Sequence, residues 1–394
     1  MNRAERRPVT LASSARNGLV ALAAIGAITA VAGVFVAPVR MWASWLLVAY
    51  YALGIGLAGL CFVAIHYVTG STWSVAIRRV PEAMAGTLAT SLVMIGILFL
   101  AYPQLYAWTT DTVLADGAGR VQAFKRFWLS RPFFLLRAAL YSAIWLLCAA
   151  AIRTRSRRQD DDGDARWTRA NVRLSAVFLV LFGVTLTLAS FDWLMSLEHH
   201  WFSTIFGVYN FAGLFESGLA AMILVALWLE RTGPLKGVMN QGHLHDLGKL
   251  LLAFGVFWAY IWFSQYMLIW YTDIPEETAY FIRRERSGWF PLAMLNIVLN
   301  GVIPFFMLLR RDAKRHRTTM AVAAGVVLLG RWVDVYLMIF PAVVGGAPTF
   351  GVWELGLTLG GIGGFGLVLA RALGTAPAAP VADPDLFDSL QYEH

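Results

Sequence analysis

The 394-residue chain is 58% hydrophobic and only 14% charged, with a mean hydropathy of +0.61. Soluble domains carry about a quarter charged residues, so the composition excludes a soluble globular protein and points to an all-α polytopic membrane protein. The net charge of +8 would suit a nucleic-acid partner, but the basic residues follow a topology pattern that needs none.

Residues 1–17 form a basic segment (Arg3, Arg6, Arg7, Arg16) that leads into the apolar stretch 18–36. That stretch is too long for the apolar region of a signal peptide and no A-x-A site follows it, so it reads as a first membrane helix. A helix needs about 20 apolar residues to cross the hydrocarbon core. Further stretches of that kind are 42–69, 83–102, 132–152, 171–191, 205–229, 250–270, 291–309, 319–340 and 352–373, which makes ten transmembrane helices and a membrane domain over 18–373. Pro81, Pro132 and Pro291 stand at helix starts, where a missing N–H does no harm. Pro38, Pro103 and Pro341 are expected to follow helix ends.

Lys and Arg crowd the connections on one side: 1–17, Arg78 and Arg79, 153–173, Arg231 to Lys249, 310–317 and Arg371. The other side carries fewer, among them Arg40, Arg120, Lys125, Arg126, Arg131, Arg137, Arg283, Arg284 and Arg286. The positive-inside rule then places both termini in the cytoplasm. The outer loops 103–131 and 271–290 mix aromatic residues with both charges and suit docking of extracytoplasmic partners. The inner loop 153–170 reads as a solvated charge run, and the tail 374–394, rich in Pro, Ala and Asp, as a mobile segment.

Spans two to five and six to nine can form two four-helix bundles, with spans one and ten peripheral. Four crossings return the chain to the same side, so a repeat over 42–191 and 205–340 would be parallel. The sequence support is the pair Asp192-Trp-Leu-Met and Asp334-Val-Tyr-Leu-Met.

Two patterns invite a wrong assignment. Gly54-Ile-Gly56-Leu-Ala-Gly59 fits a dinucleotide fingerprint but lies inside an apolar span, where small residues serve close helix packing. The glycine run 360–366 has the same explanation. The two cysteines, Cys61 and Cys148, sit in apolar spans with no metal-ligand spacing, so iron–sulfur ligation, c-type haem attachment and structural zinc are not expected. A b-type haem needs facing axial ligands, and His66 is the single histidine well inside a span; no metal or haem site is predicted.

Ionisable residues inside the spans remain. His66, Glu216 and the Arg331/Asp334 pair lie well within apolar stretches; Asp192, Glu354 and Arg137 lie nearer span ends. A charge at the bilayer centre costs about 2.5–3.5 kcal/mol even on lenient scales. Read by depth, the groups form a ladder: His66 inside, Glu216 and Asp334 central, Asp192 and Glu354 outside. Titratable groups at staggered depths are what a proton relay requires. The competing reading is polar contacts that satisfy themselves: Arg331 and Asp334 are i,i+3 neighbours and can pair locally, and Asp192 and Glu354 can cap or face the interface.

The segments 66–82 (HYVTGSTWSVAIRRVPE), 190–213 (SFDWLMSLEHHWFSTIFGVYNFAG) and 260–281 (YIWFSQYMLIWYTDIPEETAYF) resemble the F subunit of bacterial alternative complex III, in the NrfD-like and polysulfide-reductase-like membrane family. With the ten-span layout, the resemblance covers essentially the whole chain. It implies a subunit of a respiratory complex that oxidises quinol and reduces a cytochrome c or an oxidase. It further implies a homologous ten-helix partner, with haems and iron–sulfur clusters in extracytoplasmic iron–sulfur and multihaem cytochrome c subunits. The residues matching the proposed polar pathway are His66, Asp192, Glu216 and Asp334; Arg331 and Glu354 are candidates on burial alone.

The leading expectation is a proton-conducting or energy-coupling subunit without a redox centre and without catalysis of its own. A quinone-binding anchor is the second reading, and a secondary transporter the third, from another class.

Overall fold

The computed structural model describes residues 9–99, 102–110, 120–286 and 288–392. It is 82% helical, with no strand among the described residues. Among the described residues ten helices are long and apolar enough to cross a membrane: α1 Ser13–Val36, α2 Pro38–Val68, α3 Arg79–Leu98, α4 Arg131–Asp162, α5 Arg166–Glu198, α6 Phe206–Thr232, α7 Gln241–Thr272, α8 Phe290–Leu308, α9 Arg317–Val343 and α10 Val352–Leu373. Each overlays one predicted span. The face where α1 begins and α10 ends is called here the terminal face, the other the opposite face.

The helices pack as two bundles, α2–α5 and α6–α9, with α1 and α10 to one side. α2 is buried almost all round because it touches α3 and α5 in its own bundle, α6 and α9 in the other, and α10. α1 buries little beyond Gly26, Thr29 and Gly33 and leaves residues such as Ile28 and Phe35 outward, as a lipid-facing helix should. Its partner is α10: the backbones of Gly26 and Gly360 meet so closely that a Cβ on either would collide with the other. The glycine run 360–366 therefore serves packing, where small residues let helices approach. Gly59 does the same on α2, where a Cβ would fall 2.6 Å from the Pro81 carbonyl.

Three local expectations change. Pro38 opens α2 rather than ending α1, and Pro341 sits inside the last turns of α9. The charge run 153–170 is mostly helix: α4 continues to Asp162, turns at Gly163 with φ +68°, and α5 begins at Arg166. The turn takes the left-handed backbone that glycine adopts without strain. This extension is anchored, because Ser156 and Gln159 are buried and Asp160 pairs with Arg79.

The tail 374–392 is docked where its composition predicted mobility. A short helix, Leu386–Leu390, packs on the turn Trp73–Ile77. Asp383 neutralises the buried Arg78, and the Ser389 hydroxyl donates to the Trp73 carbonyl (2.7 Å) and accepts from the Ala76 N–H (3.0 Å). Farther on, Asn240 donates to the Tyr392 carbonyl (2.6 Å) and the Tyr392 hydroxyl donates to Asp246 (2.6 Å). The tail thus bridges the α2–α3 and α6–α7 connections, one from each bundle.

Candidate functional site

The polar groups predicted as one ladder fall into separate places. Toward the opposite face, Asp192 on α5 accepts from Arg137 Nε (2.9 Å) and Nη2 (2.8 Å), from the Trp128 indole (2.9 Å) and from the Tyr141 hydroxyl (3.1 Å). Every lone-pair direction is used. Glu354 begins α10: its carboxylate takes both arms of Arg40 (3.0 and 2.7 Å) and caps the Gly351 N–H (2.8 Å). A carboxylate in a first helical turn also meets the positive end of the helix dipole. Both residues are positioned as ion-paired structural contacts.

His66 lies at the other end, on the last turns of α2. Its Nδ1 is 2.8 Å from the Phe62 carbonyl, and its ring stacks on Phe62 and meets Trp73 edge-on. From Tyr50 to His66 along α2 is about 24 Å at 1.5 Å per residue, so His66 is not joined to the central groups.

The centre is where the structure gathers the remaining candidates. Asp334 on α9 is 1% exposed. It accepts from Arg331 Nη1 (2.5 Å), from the Tyr209 hydroxyl, from the Asn296 amide (3.0 Å) and from the Trp258 indole (3.4 Å). The network continues on both sides. Arg331 Nη2 lies 3.4 Å from the Asn210 side-chain oxygen, which also accepts from Tyr50 (3.1 Å), and Tyr50 is 3.4 Å from the Ser190 hydroxyl. On the other side the Asn300 amide donates to the Asn296 side-chain oxygen at 2.6 Å. Side chains from α2, α5, α6, α7, α8 and α9 therefore meet around one carboxylate.

Glu216 on α6 belongs to this centre and differs from the rest of it. It is 1% exposed, within range of the charges of Asp334 and Arg331, and its Oε1 has no hydrogen-bond partner. That oxygen faces α7 at Gly255, where a Cβ would stand 3.1 Å from it and 3.4 Å from the Asn300 backbone oxygen. Asn300 lies in a π-helical turn, Val298–Val302, that interrupts α8. Such turns disturb the regular backbone ladder and recur at functional sites. A buried polar atom without a partner costs about 1–3 kcal/mol.

The centre opens toward the opposite face through an aromatic cleft of about 240 Å³, walled by Tyr209, Trp262, Tyr280 and Phe281 and floored by Asn296 and Asp334. Arg284 also lines it and is buried, held by Glu198 (2.9 Å) and the Leu337 carbonyl (3.1 Å), with its guanidinium over the Tyr280 ring. Burial pushes the Tyr280 hydroxyl up to about 12, so it stays neutral at physiological pH. Toward the terminal face, the buried positions of α6 below Glu216 are mostly apolar: Leu219, Ile223, Ala226 and Leu229. The site is thus polar on one side and dry on the other.

A second polar cluster, not singled out by sequence, ties α3 to α4 near the terminal face. Arg79 meets Glu82 (2.6 Å) and Asp160, and Ser156 donates to Glu82 (2.6 Å). Among the described residues no three His, Cys, Asp or Glu side chains converge as a metal site.

Sequence reasoning found the charges and missed the neutral partners Tyr50, Tyr209, Asn210, Trp258, Asn296 and Asn300. One signal was available: Asn296 and Asn300 are spaced i,i+4 in an otherwise apolar span, which puts both amides on one helix face. Comparison of the chain with protein-family models and with curated proteins finds no match.

Proposed function

We propose that this chain is a membrane subunit of a quinol-oxidising respiratory complex, and that it carries protons rather than electrons. The observation that carries the reading is Glu216: a buried carboxyl with an unpartnered oxygen beside the Arg331/Asp334 pair. A residue held there only for the fold would be paired, as Asp192 and Glu354 are. Intramembrane ionisable groups that are not satisfied mark ion and proton paths.

The central groups divide the work. Asp334 faces the cleft and receives or delivers a proton on the opposite face through Tyr209 and water that reaches the polar floor of the cleft. Arg331 offsets the charge left when that carboxyl ionises. Glu216 takes the proton deeper, and the apolar layer beneath it prevents leakage until water enters between the helices. With the Lys/Arg bias, the terminal face is cytoplasmic and the cleft opens outward. The resemblance supplies the context: a homologous ten-helix partner, extracytoplasmic iron–sulfur and multihaem cytochrome c subunits, and a bacterial inner membrane.

In the reconstituted complex, Asp334→Asn should abolish proton translocation while quinol oxidation persists. Equal loss of both activities, or no effect on either, would sink the role. Gentle purification of the native protein should bring down haem- and iron–sulfur-containing subunits. Solute uptake by the purified chain alone in liposomes would instead establish the transporter reading.

The cleft favours a second reading, a quinone-binding anchor. Aromatic walls with a few convergent polar groups are what a ring-shaped ligand requires, and the second N–H of the Asn296 amide can donate to a ring carbonyl. A photoreactive quinone analogue should then label peptides of α8 and α9; label confined to a partner subunit removes this reading.

A further inference from the structure

Two sites in this chain have the same construction. α4 and α8 each begin with a proline in the first turn, Pro132 and Pro291. Five residues later stand Arg137 and Asn296. Each donates to the aspartate of the next spanning helix, Arg137 to Asp192 and Asn296 to Asp334. The aspartates open the similar strings Asp192-Trp-Leu-Met and Asp334-Val-Tyr-Leu-Met. Each carboxylate is also served by one tyrosine hydroxyl and one tryptophan indole; the first site's arginine is Arg137 itself, whereas the second has Arg331 beside Asn296. The tyrosines and tryptophans come from different helices in the two sites, so the common frame is the proline, the residue five positions on, and the aspartate.

We propose that Asp192 and Asp334 are two copies of one duplicated site, and that Asn296, standing where the first copy has Arg137, leaves the second copy free to exchange a proton. This rests on the proton-carrying reading given above and names the residue that decides which copy takes part.

The chemistry of the two partners carries the difference. Arg137 grips both oxygens of Asp192, and its remaining arm is fixed to the Trp128 carbonyl at 2.8 Å. Its guanidinium is further packed over the rings of Trp128 and Phe133. A planar two-armed pair is the strongest hold a carboxylate can have, and an arginine has no acceptor to offer a protonated acid. Asp192 is therefore held on both oxygens by a partner that can only donate. Asp334 keeps an arginine, but Arg331 reaches it with one arm from the same helix, while the other arm lies 3.4 Å from Asn210. The remaining amide, Asn296, has both a donor and an acceptor. It now donates to Asp334 and accepts from Asn300. With both amides reversed, Asn296 would accept from a proton-bearing Asp334 and donate to the Asn300 side-chain oxygen, so the pair can serve either form of the acid.

An apolar carbodiimide tests this on the full chain in its native membranes. The reagent adds to protonated carboxyls in apolar surroundings, and the adduct is mapped by mass spectrometry. Asp334 should be labelled and Asp192 should not. The exchange variant Asn296→Arg with Arg331→Asn conserves net charge and gives the second site the arrangement of the first. It should keep the wild-type melting temperature and lose the label on Asp334. Equal labelling of Asp192 and Asp334 in the wild-type protein, or undiminished label on Asp334 in a folded exchange variant, overturns the inference. If the exchange variant does not fold, the wild-type comparison decides alone. Label lost as expected with proton translocation by the complex intact would uphold the inference and defeat the proposed function.

Discussion

Arg331 reaches Asp334 across one turn of α9, and the nitrogen that makes the contact fills the space in front of Gly213 on α6. Gly213 lies three residues from Glu216, so this gap holds the arginine between the two carboxyls. A methyl group at Gly213 cannot coexist with the guanidinium as placed. Gly213→Ala should therefore push Arg331 off Asp334 at a cost of about 1–3 kcal/mol, typical of overpacking. Thermal unfolding of the purified complex checks the cost. Proton translocation measured beside quinol oxidation checks the displacement, and should fall while oxidation continues.

Glu216 should behave in the opposite sense. Its Oε1 has no hydrogen bond to lose, so Glu216→Gln removes a titratable group without removing a contact that the fold depends on. Stability is expected to stay within about 0.5 kcal/mol or to rise, since replacing groups at functional sites commonly stabilises. Proton translocation should be lost. A large drop in melting temperature would show that Glu216 is structural.

The spans and the fold class were readable because apolar length alone decides where a chain can cross a bilayer. Glu216 and Asp334, both read as central, do lie within electrostatic range of each other. Which charges would find partners was not. Asp192 and Arg137 are separated in sequence, and so are Glu354 and Arg40; a single sequence does not say which helices face each other. Beyond the Asn296/Asn300 spacing, the neutral half of the centre was hidden for a different reason. Tyr50 and Tyr209 are near neutral in hydropathy, and a lone amide such as Asn210 lowers the mean of an apolar span only a little. The docked tail escaped notice because composition measures a segment's own apolar content. It does not see Arg78, a buried cation on another element that Asp383 neutralises.

Asp192 and Arg137 allow a thermodynamic test of the structural assignment. Asp192→Asn leaves the Arg137 guanidinium buried without its counter-charge, and breaking a buried pair from one side costs about 3–5 kcal/mol. Replacing both, with Arg137→Met and Asp192→Leu, should recover most of that loss, because the pair's desolvation cost disappears with it. Melting temperatures of the two variants make the comparison. If Asp192→Asn melts like the wild type, the pair is not structural and Asp192 returns to the proton route.

The tail contact makes a prediction of its own because a terminal segment can let go. Asp383→Asn strands Arg78 if the tail stays in place, but release of the tail exposes Arg78 to water. The destabilisation from Asp383→Asn therefore cannot exceed that from deleting residues 376–394. Both variants should speed amide hydrogen exchange in 73–79, where Ser389 and Leu386 pack, and in 240–246, where Tyr392 is bonded to Asn240 and Asp246. Exchange within the Asp334 centre should be unaffected, since local opening is confined to the elements that lose contacts. Faster exchange in 73–79 with none in 240–246 would mean that the tail does not couple the two bundles. A greater loss from the point substitution than from the deletion would mean that it cannot release.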